Sequence, residues 1–312
     1  MKTIDTVTPK YQHRPLEELD IMDDFLFQEL LSQEGDGEEF CRILLSTILE
    51  KNIRKVKIIP QKNILGIDTN RHGIRMDAYI EDISDEASLS GIETFDAQVS
   101  PDIYDIEPNK RYEKQTLPKR MRYYHGLIDT QLLATNVTYD KLPNVVIIVI
   151  LPYDPFGKNR MIYTIQNQCV EDNSLPYDDG AKKIFLYTKG TNGNPSQKLR
   201  DMLKYIEQTI DENVTNQDID TIHHFVKKVK CRREVGINYM KSWELEQMYR
   251  AEGRKEGHKE GREEGREEGI RALIGTCQEF QISREDTLAK IMYNFKLEPH
   301  TAETYMQKYW AE

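Results

Sequence analysis

Apolar residues along the first third of the chain recur at helical spacing and then at strand spacing. Phe25, Leu26, Phe27, Leu30 and Leu31 follow Asp23-Asp24, acids suited to a helix N-terminus, so a helix is expected to start there and to end at Gly35-Asp36-Gly37. Phe40, Ile43, Leu44, Thr47 and Ile48 fall on one face of a second helix over 38–50. From 54 to 68 the pattern turns to β, with Pro60 separating Val56 and Ile58 from Ile64, Leu65 and Ile67, and 70–73 reads as a turn. Gly73-Ile74-Arg75-Met76-Asp77-Ala78-Tyr79 and Tyr104-Asp105-Ile106-Glu107 alternate apolar and polar residues. Each reads as a half-buried strand that turns one acid, Asp77 or Glu107, outward or toward a cleft. The stretch between them, 81–102, is rich in Asp, Glu and Ser and holds a β-like piece over 94–99.

Pro118 stands at a first helical turn. In the helix it opens, Met121, Tyr124, Leu127 and Ile128 can face a core while Lys119, Arg122 and Tyr123 share the other side. The β-branched run 144–151 has the signature of a strand buried on both faces. A helix joining the Glu107 strand to it makes a β-α-β crossover, so the core is expected to be mixed α/β. Further strands are expected at 161–168 and 183–188, and helices at 196–209 and 218–230. A helix over 239–250 leads into a tetrapeptide repeat, Glu-Gly-x-x, with glycine at 253, 257, 261, 265 and 269. Each glycine costs a helix interior about 1 kcal/mol against Ala, which predicts a solvated, partly helical spacer; close helix-to-helix contact between chains is the alternative. Ser283-x-x-Asp286 resembles a capping box. Three short helices beyond the repeat are expected to form a small bundle.

Composition narrows the class. The longest apolar run is 145–151 and residues 1–15 are polar, which predicts a soluble cytoplasmic protein with no membrane partner. Cys41, Cys169, Cys231 and Cys277 show no C-x-x-C spacing, so reduced core thiols are expected rather than a disulfide framework or a zinc site. A net charge of -10 argues against a protein that coats nucleic acid, since that affinity comes from Lys and Arg on phosphates. Within this acidic chain, however, Arg71, His72 and Arg75 precede Asp77, and Lys110, Arg111, Lys114, Lys119, Arg120 and Arg122 follow Glu107. Tyr123, Tyr124 and His125 are interleaved with them and could stack on bases. Two acids on adjacent strands could hold one Mg²⁺, a hard cation usually bound by one or two carboxylates plus phosphate oxygens.

Several segments together resemble the recombination-promoting nuclease and transposase-like family of bacteria, a branch of the PD-(D/E)xK nuclease superfamily. They are Asp23-Asp24-Phe25-Leu26-Phe27, Gly73 to Asp77, Tyr104 to Glu107, Leu117-Pro118-Lys119-Arg120-Met121-Arg122-Tyr123-Tyr124 and the Glu-Gly repeats. The resemblance covers nearly the whole chain. It implies a restriction-endonuclease-like mixed sheet over 1–195, followed by a helical extension (196–250), the repeat (251–269) and a small bundle (270–312). It also implies cleavage of DNA with Mg²⁺ or Mn²⁺, in recombination or transposition. Asp77 matches the family's strand acid and Glu107 the acid of its E-x-(K/Q) motif, and both would be metal ligands. Asn109 stands where Lys or Gln is expected and Lys110 is one residue out of register; either would orient the attacking water. Arg75, Lys119, Arg120, Arg122 and Tyr123 would bind DNA. Asp96-Ala97-Gln98 is a second match to the motif, ranked below Glu107. The repeat and terminal helices offer a homodimer surface. A nuclease fold without catalysis, serving as a binding or scaffold module, is the competing expectation; a metal-independent regulatory DNA-binding protein is a third.

Overall fold

The computed structural model describes residues 14–64, 73–84, 101–133 and 138–310. The chain divides into two compact units, Met1–Tyr239 and Met240–Glu312. In the first, α1 (Asp24–Leu31) and α2 (Asp36–Leu49) precede β1 (Val56–Pro60). Leu26, Phe27, Leu30 and Leu31 of α1 and Phe40, Ile43, Leu44, Leu45 and Ile48 of α2 enter one core, as their helical spacing requires. A Cβ on Gly37 would lie 2.6 Å from the Leu31 carbonyl oxygen, so glycine permits this close approach of the chain to the end of α1. Asp23 stands at the N-cap of α1 without a side-chain cap bond. Its carboxylate accepts instead from Arg14, Lys110 and the Asp20 N–H.

The next β ribbon is interrupted. β1 pairs antiparallel with β4 (Ala78–Asp82), while β2 (Asn63–Ile64) pairs antiparallel with β3 (Ile74–Arg75). Between the two pairings Gln61 takes a φ of 51°. The Gln61 N–H donates to the Asp77 carbonyl at 3.2 Å, and the Met76 N–H to the Lys62 carbonyl at 3.0 Å. The single strand expected over 73–79 is therefore broken, and Asp77 occupies the break. Local ladder irregularities of this kind re-aim a side chain.

β4 pairs antiparallel with β5 (Ile103–Pro108), from which α3 (Leu117–Leu132) crosses to the parallel β6 (Val145–Leu151). β7 (Ile162–Ile165) forms the edge, antiparallel to β8 (Ala181–Tyr187), which lies parallel to β6. The result is an α/β unit with a mixed six-stranded sheet in the order β1-β4-β5-β6-β8-β7. β6 is buried along its whole length, as its β-branched composition predicts.

Alternate residues divide between two layers. Ile80, Ile106, Ile148 and Ile150 meet α1, α2 and the later helices α4 (Gln197–Glu207) and α5 (Gln217–Lys230). Tyr79, Ile103, Ile147, Val149 and Phe185 meet Leu117, Met121, Leu127 and Ile128 of α3. α4 and α5 thus share the core of the sheet rather than extending from it, because Leu199, Leu203, Ile219, Ile222 and Val226 bury their faces there.

The second unit is helical. α6 (Arg233–Glu279) begins in the first unit, where Val235 is buried, and continues through the repeat without interruption. The spacer expected there is helix. Its end is anchored where Ile270 and Ile274 pack with Ile291 of α7 (Arg284–Phe295) and with Ala302 and Met306 of α8 (Pro299–Tyr309). With nucleation supplied by packed ends, only propagation through the glycines remains, and its cost is spread along the helix. The Ser283 hydroxyl accepts the Asp286 N–H at 3.0 Å, so the expected cap opens α7. A Cβ on Gly269 would meet the Phe295 ring at 3.1 Å, whereas Gly253, Gly257, Gly261 and Gly265 face open space.

Cys41 and Cys277 are buried, but Cys169 is partly exposed and Cys231 exposed, which corrects the expectation of four core thiols. Among the described residues no helix is long and apolar enough to cross a membrane. The β-like piece at 94–99, with Asp96, Ala97 and Gln98, and the basic residues Arg71 and His72 lie outside the described residues.

Candidate active site

Asp77 enters from the broken ribbon and Glu107 from β5. The register Ala78 opposite Ile106 brings the two together, and the Asp77 N–H donates to Glu107 Oε1 at 3.0 Å. From α1, Gln28 Nε2 donates to Asp77 Oδ1 and to the Asp77 carbonyl, each at 3.2 Å. Two residues before Glu107, and so on the same face of β5, Asp105 is fully buried with neither carboxylate oxygen hydrogen-bonded in the structure. Two residues after Glu107, Asn109 continues the ladder, its N–H donating to the Ile150 carbonyl at 2.9 Å. The Asn109 Oδ1 accepts the Arg111 N–H at 2.9 Å, which leaves Nδ2 as a buried donor without a partner in the structure.

The carboxyls are held against their electrostatic preference. Burial, reinforced by the charge of Asp24, pushes Asp77 up to about 6, against the opposing pull of Arg75, Arg120 and the Gln28 bond. Burial and then repulsion from Asp77 push Glu107 up to about 8, against the Asp77 N–H and Arg120. Asp105 lies well above the usual carboxylate range, through burial first and then through Glu107 and Asp77. Desolvation and like charge act in the same direction on all three.

The other expected residues distribute unevenly. Arg120 sits near the acids, half-buried, with its guanidinium on Glu113 at 2.5 Å. Arg75, Lys119, Arg122 and Tyr123 are exposed. Lys110 is drawn away to Asp23 at 2.5 Å. His125 is buried beneath α3, where desolvation lowers its pKa to about 4, so the expected stacking on a base is not open to it, and Tyr124 is half-buried. Gln28, Asp24 and Asp105 are not among the site residues that the sequence pattern points to, although Asp24 is expected at the start of α1 and Asp105 within the Glu107 strand. For Gln28 and Asp24, the available signal was their spacing of one helical turn on the polar side of a short apolar helix.

The residues fit a hard cation. Among the described residues no group of three or more His, Cys, Asp or Glu could hold a metal, but Mg²⁺ is usually bound through only one or two carboxylates, with waters and phosphate oxygens completing the shell. Asp77 and Glu107 supply that pair, and a positive charge between them would offset the burial that raises both. Comparison with family models, curated proteins and solved structures returns no match.

A raised carboxyl makes the native state bind more protons than the unfolded state, so its contribution to stability is present at low pH and lost as pH rises through the folded value. For Glu107 the window runs from about 4.3, the unfolded value, to about 8. Glu107→Gln keeps an acceptor for the Asp77 N–H and removes the charge. Thermal melts without metal should show the variant more stable than wild type at pH 8 and indistinguishable from it only near pH 4, below the unfolded value; a lower melting temperature at pH 8 would refute the electrostatic description.

Proposed function

We propose that the protein is a metal-dependent DNA endonuclease with a restriction-endonuclease-like fold, acting in recombination or transposition. The observation that carries this reading is the buried carboxylate pair on adjacent strands with the unpartnered Asn109 Nδ2 two residues beyond Glu107. The element order α2-β1-β4-β5-α3-β6 supports it, since the resembled superfamily is expected to have an α-β-β-β-α-β core. Asp77 and Glu107 hold Mg²⁺ or Mn²⁺, whose chemistry when bound is to lower the pKa of water and to offset charge on the scissile phosphate. Asn109 Nδ2 orients the attacking water. Arg75, Lys119 and Arg122 take neighbouring phosphates, Tyr123 lies along the strand, and Arg120 leaves Glu113 for the phosphate nearest the acids.

The competing reading is a nuclease fold kept as a scaffold. It is favoured by the uncharged Asn109 and by the commitment of Lys110 to Asp23. A plasmid-nicking assay with Mg²⁺ or Mn²⁺ separates the two. The wild type should nick, and Asp77→Ala should lose activity by several orders of magnitude with an unchanged circular dichroism spectrum. Full activity in the variant would remove Asp77 from the mechanism, and an inactive wild type would favour the scaffold.

We also propose a homodimer through the repeat. Leu245, Tyr249, Gly253, Gly257, Gly261 and Gly265 form one four-residue row on α6, with Leu245 and Tyr249 exposed. At 3.6 residues per turn, a row one residue later lies about 90° to one side and a row one residue earlier about 90° to the other. The first is basic, with Arg254, His258 and Arg262; the second is acidic, with Glu252, Glu256, Glu260 and Glu264. Parallel pairing about a twofold along the helices sets acid rows against basic rows on both sides, whereas antiparallel pairing sets like against like. Light scattering should find a dimer that Arg254→Glu with Arg262→Glu dissociates and that further Glu256→Arg with Glu260→Arg restores. A monomeric wild type, or a dimer indifferent to these changes, would contradict the arrangement.

A further inference from the structure

We propose that Gln28 is a positioning residue, one that fixes the Asp77 carboxylate through Nε2 and takes, at Oε1, a hydrogen bond from a water held at the acid pair. The inference rests on the metal-site reading above and adds to it a residue outside the Asp77 and Glu107 motifs.

Three observations carry it. The Gln28 Nε2 bonds both the side chain and the main-chain carbonyl of the same residue, Asp77, at 3.2 Å each. A group tied at both points has its χ1 rotation restricted, and that restriction matters most where the backbone leaves its regular ladder, as it does at Asp77. The support of Gln28 is itself rigid: Leu26, Phe27, Leu30 and Leu31 on the same helix are 0–2% exposed, so α1 has little freedom to shift. Finally, Gln28 Oε1 is buried and accepts no hydrogen bond in the structure. Buried acceptors are satisfied by donors. Binding of a cation ionises the raised neighbouring acids, which are then acceptors only, so in the metal-bound protein a water is the donor that suits the place. The polar amide thus serves the site with both of its ends, which an apolar residue of similar size would not do.

Gln28→Leu keeps approximate volume and removes both ends. Gln28→Glu keeps an acceptor and, once ionised, removes the donor. Two readouts on the full chain separate the roles. Without metal, side-chain couplings of Asp77 by NMR should report one χ1 rotamer in wild type and averaging in both variants, with unchanged circular dichroism. With Mn²⁺, calorimetry should show Gln28→Leu binding about 10–100-fold more weakly, the range typical for residues that orient a ligand. An Asp77 rotamer and an Mn²⁺ affinity unchanged in Gln28→Leu would overturn the proposal. A wild type that binds no Mn²⁺ would overturn the water contact and the metal reading together, while the clamp on Asp77 would stand or fall on the metal-free rotamer alone.

Discussion

The hydrogen bond from the Asp77 backbone to the Glu107 carboxylate joins two residues whose side-chain charges repel. Around that contact the protein removes water and adds a third carboxyl, Asp105, on the same strand. A fold selected for stability alone would be expected to place apolar residues there, because desolvated like charges oppose folding. Packing elsewhere must offset them: the isoleucine-rich layers of β5 and β6, the face of α3 on one side and four helices on the other. Perturbed carboxyls gathered where strands meet a ladder irregularity are a recognised mark of functional sites, and on the function proposed above a cation would relieve them.

The same geometry explains how distant parts of the chain serve one place. α1 is short, yet its buried leucines hold Gln28 against Asp77. The crossover that makes β5 parallel to β6 also lays α3 over the acid-bearing face, so Arg120 comes near the carboxyls while Lys119 and Arg122 stay in solvent. Interruption of the β ribbon at Gln61 and Asp77 brings an acid out of the regular alternation at the point where Glu107 can meet its N–H. Sheet topology, a broken ladder and one amphipathic helix together define the site.

Much of this was legible in the residues. Helical spacing at Phe40 to Ile48, the β-branched run after Asn144 and the Pro118 signal predicted the elements and the crossover, because burial of one face or two leaves a period in the sequence. The pairing of Asp77 with Glu107 followed from two acid-bearing strands. What was not legible depends on three-dimensional closure. A ladder break leaves no hydrophobic period, so Asp77 was read as lying within a strand. Lys110 is redirected by Asp23, far away in the chain, and His125 looked available until α3 settled its face onto the sheet. Gln28 carries no charge and no motif; only its two bonds to Asp77 give it meaning. In α6, the glycines predict a spacer that is only partly helical, whereas the helix runs through the repeat between packed ends.

Calorimetric titration of the metal-free protein with Mn²⁺ at pH 7, repeated in two buffers of different ionisation enthalpy, measures whether the two acids give up protons to a cation. If Asp77 and Glu107 are held for a cation, binding must displace protons from the raised carboxyls, and the difference between buffers should correspond to roughly one proton released per ion. No binding, or binding with no proton released, would contradict the account.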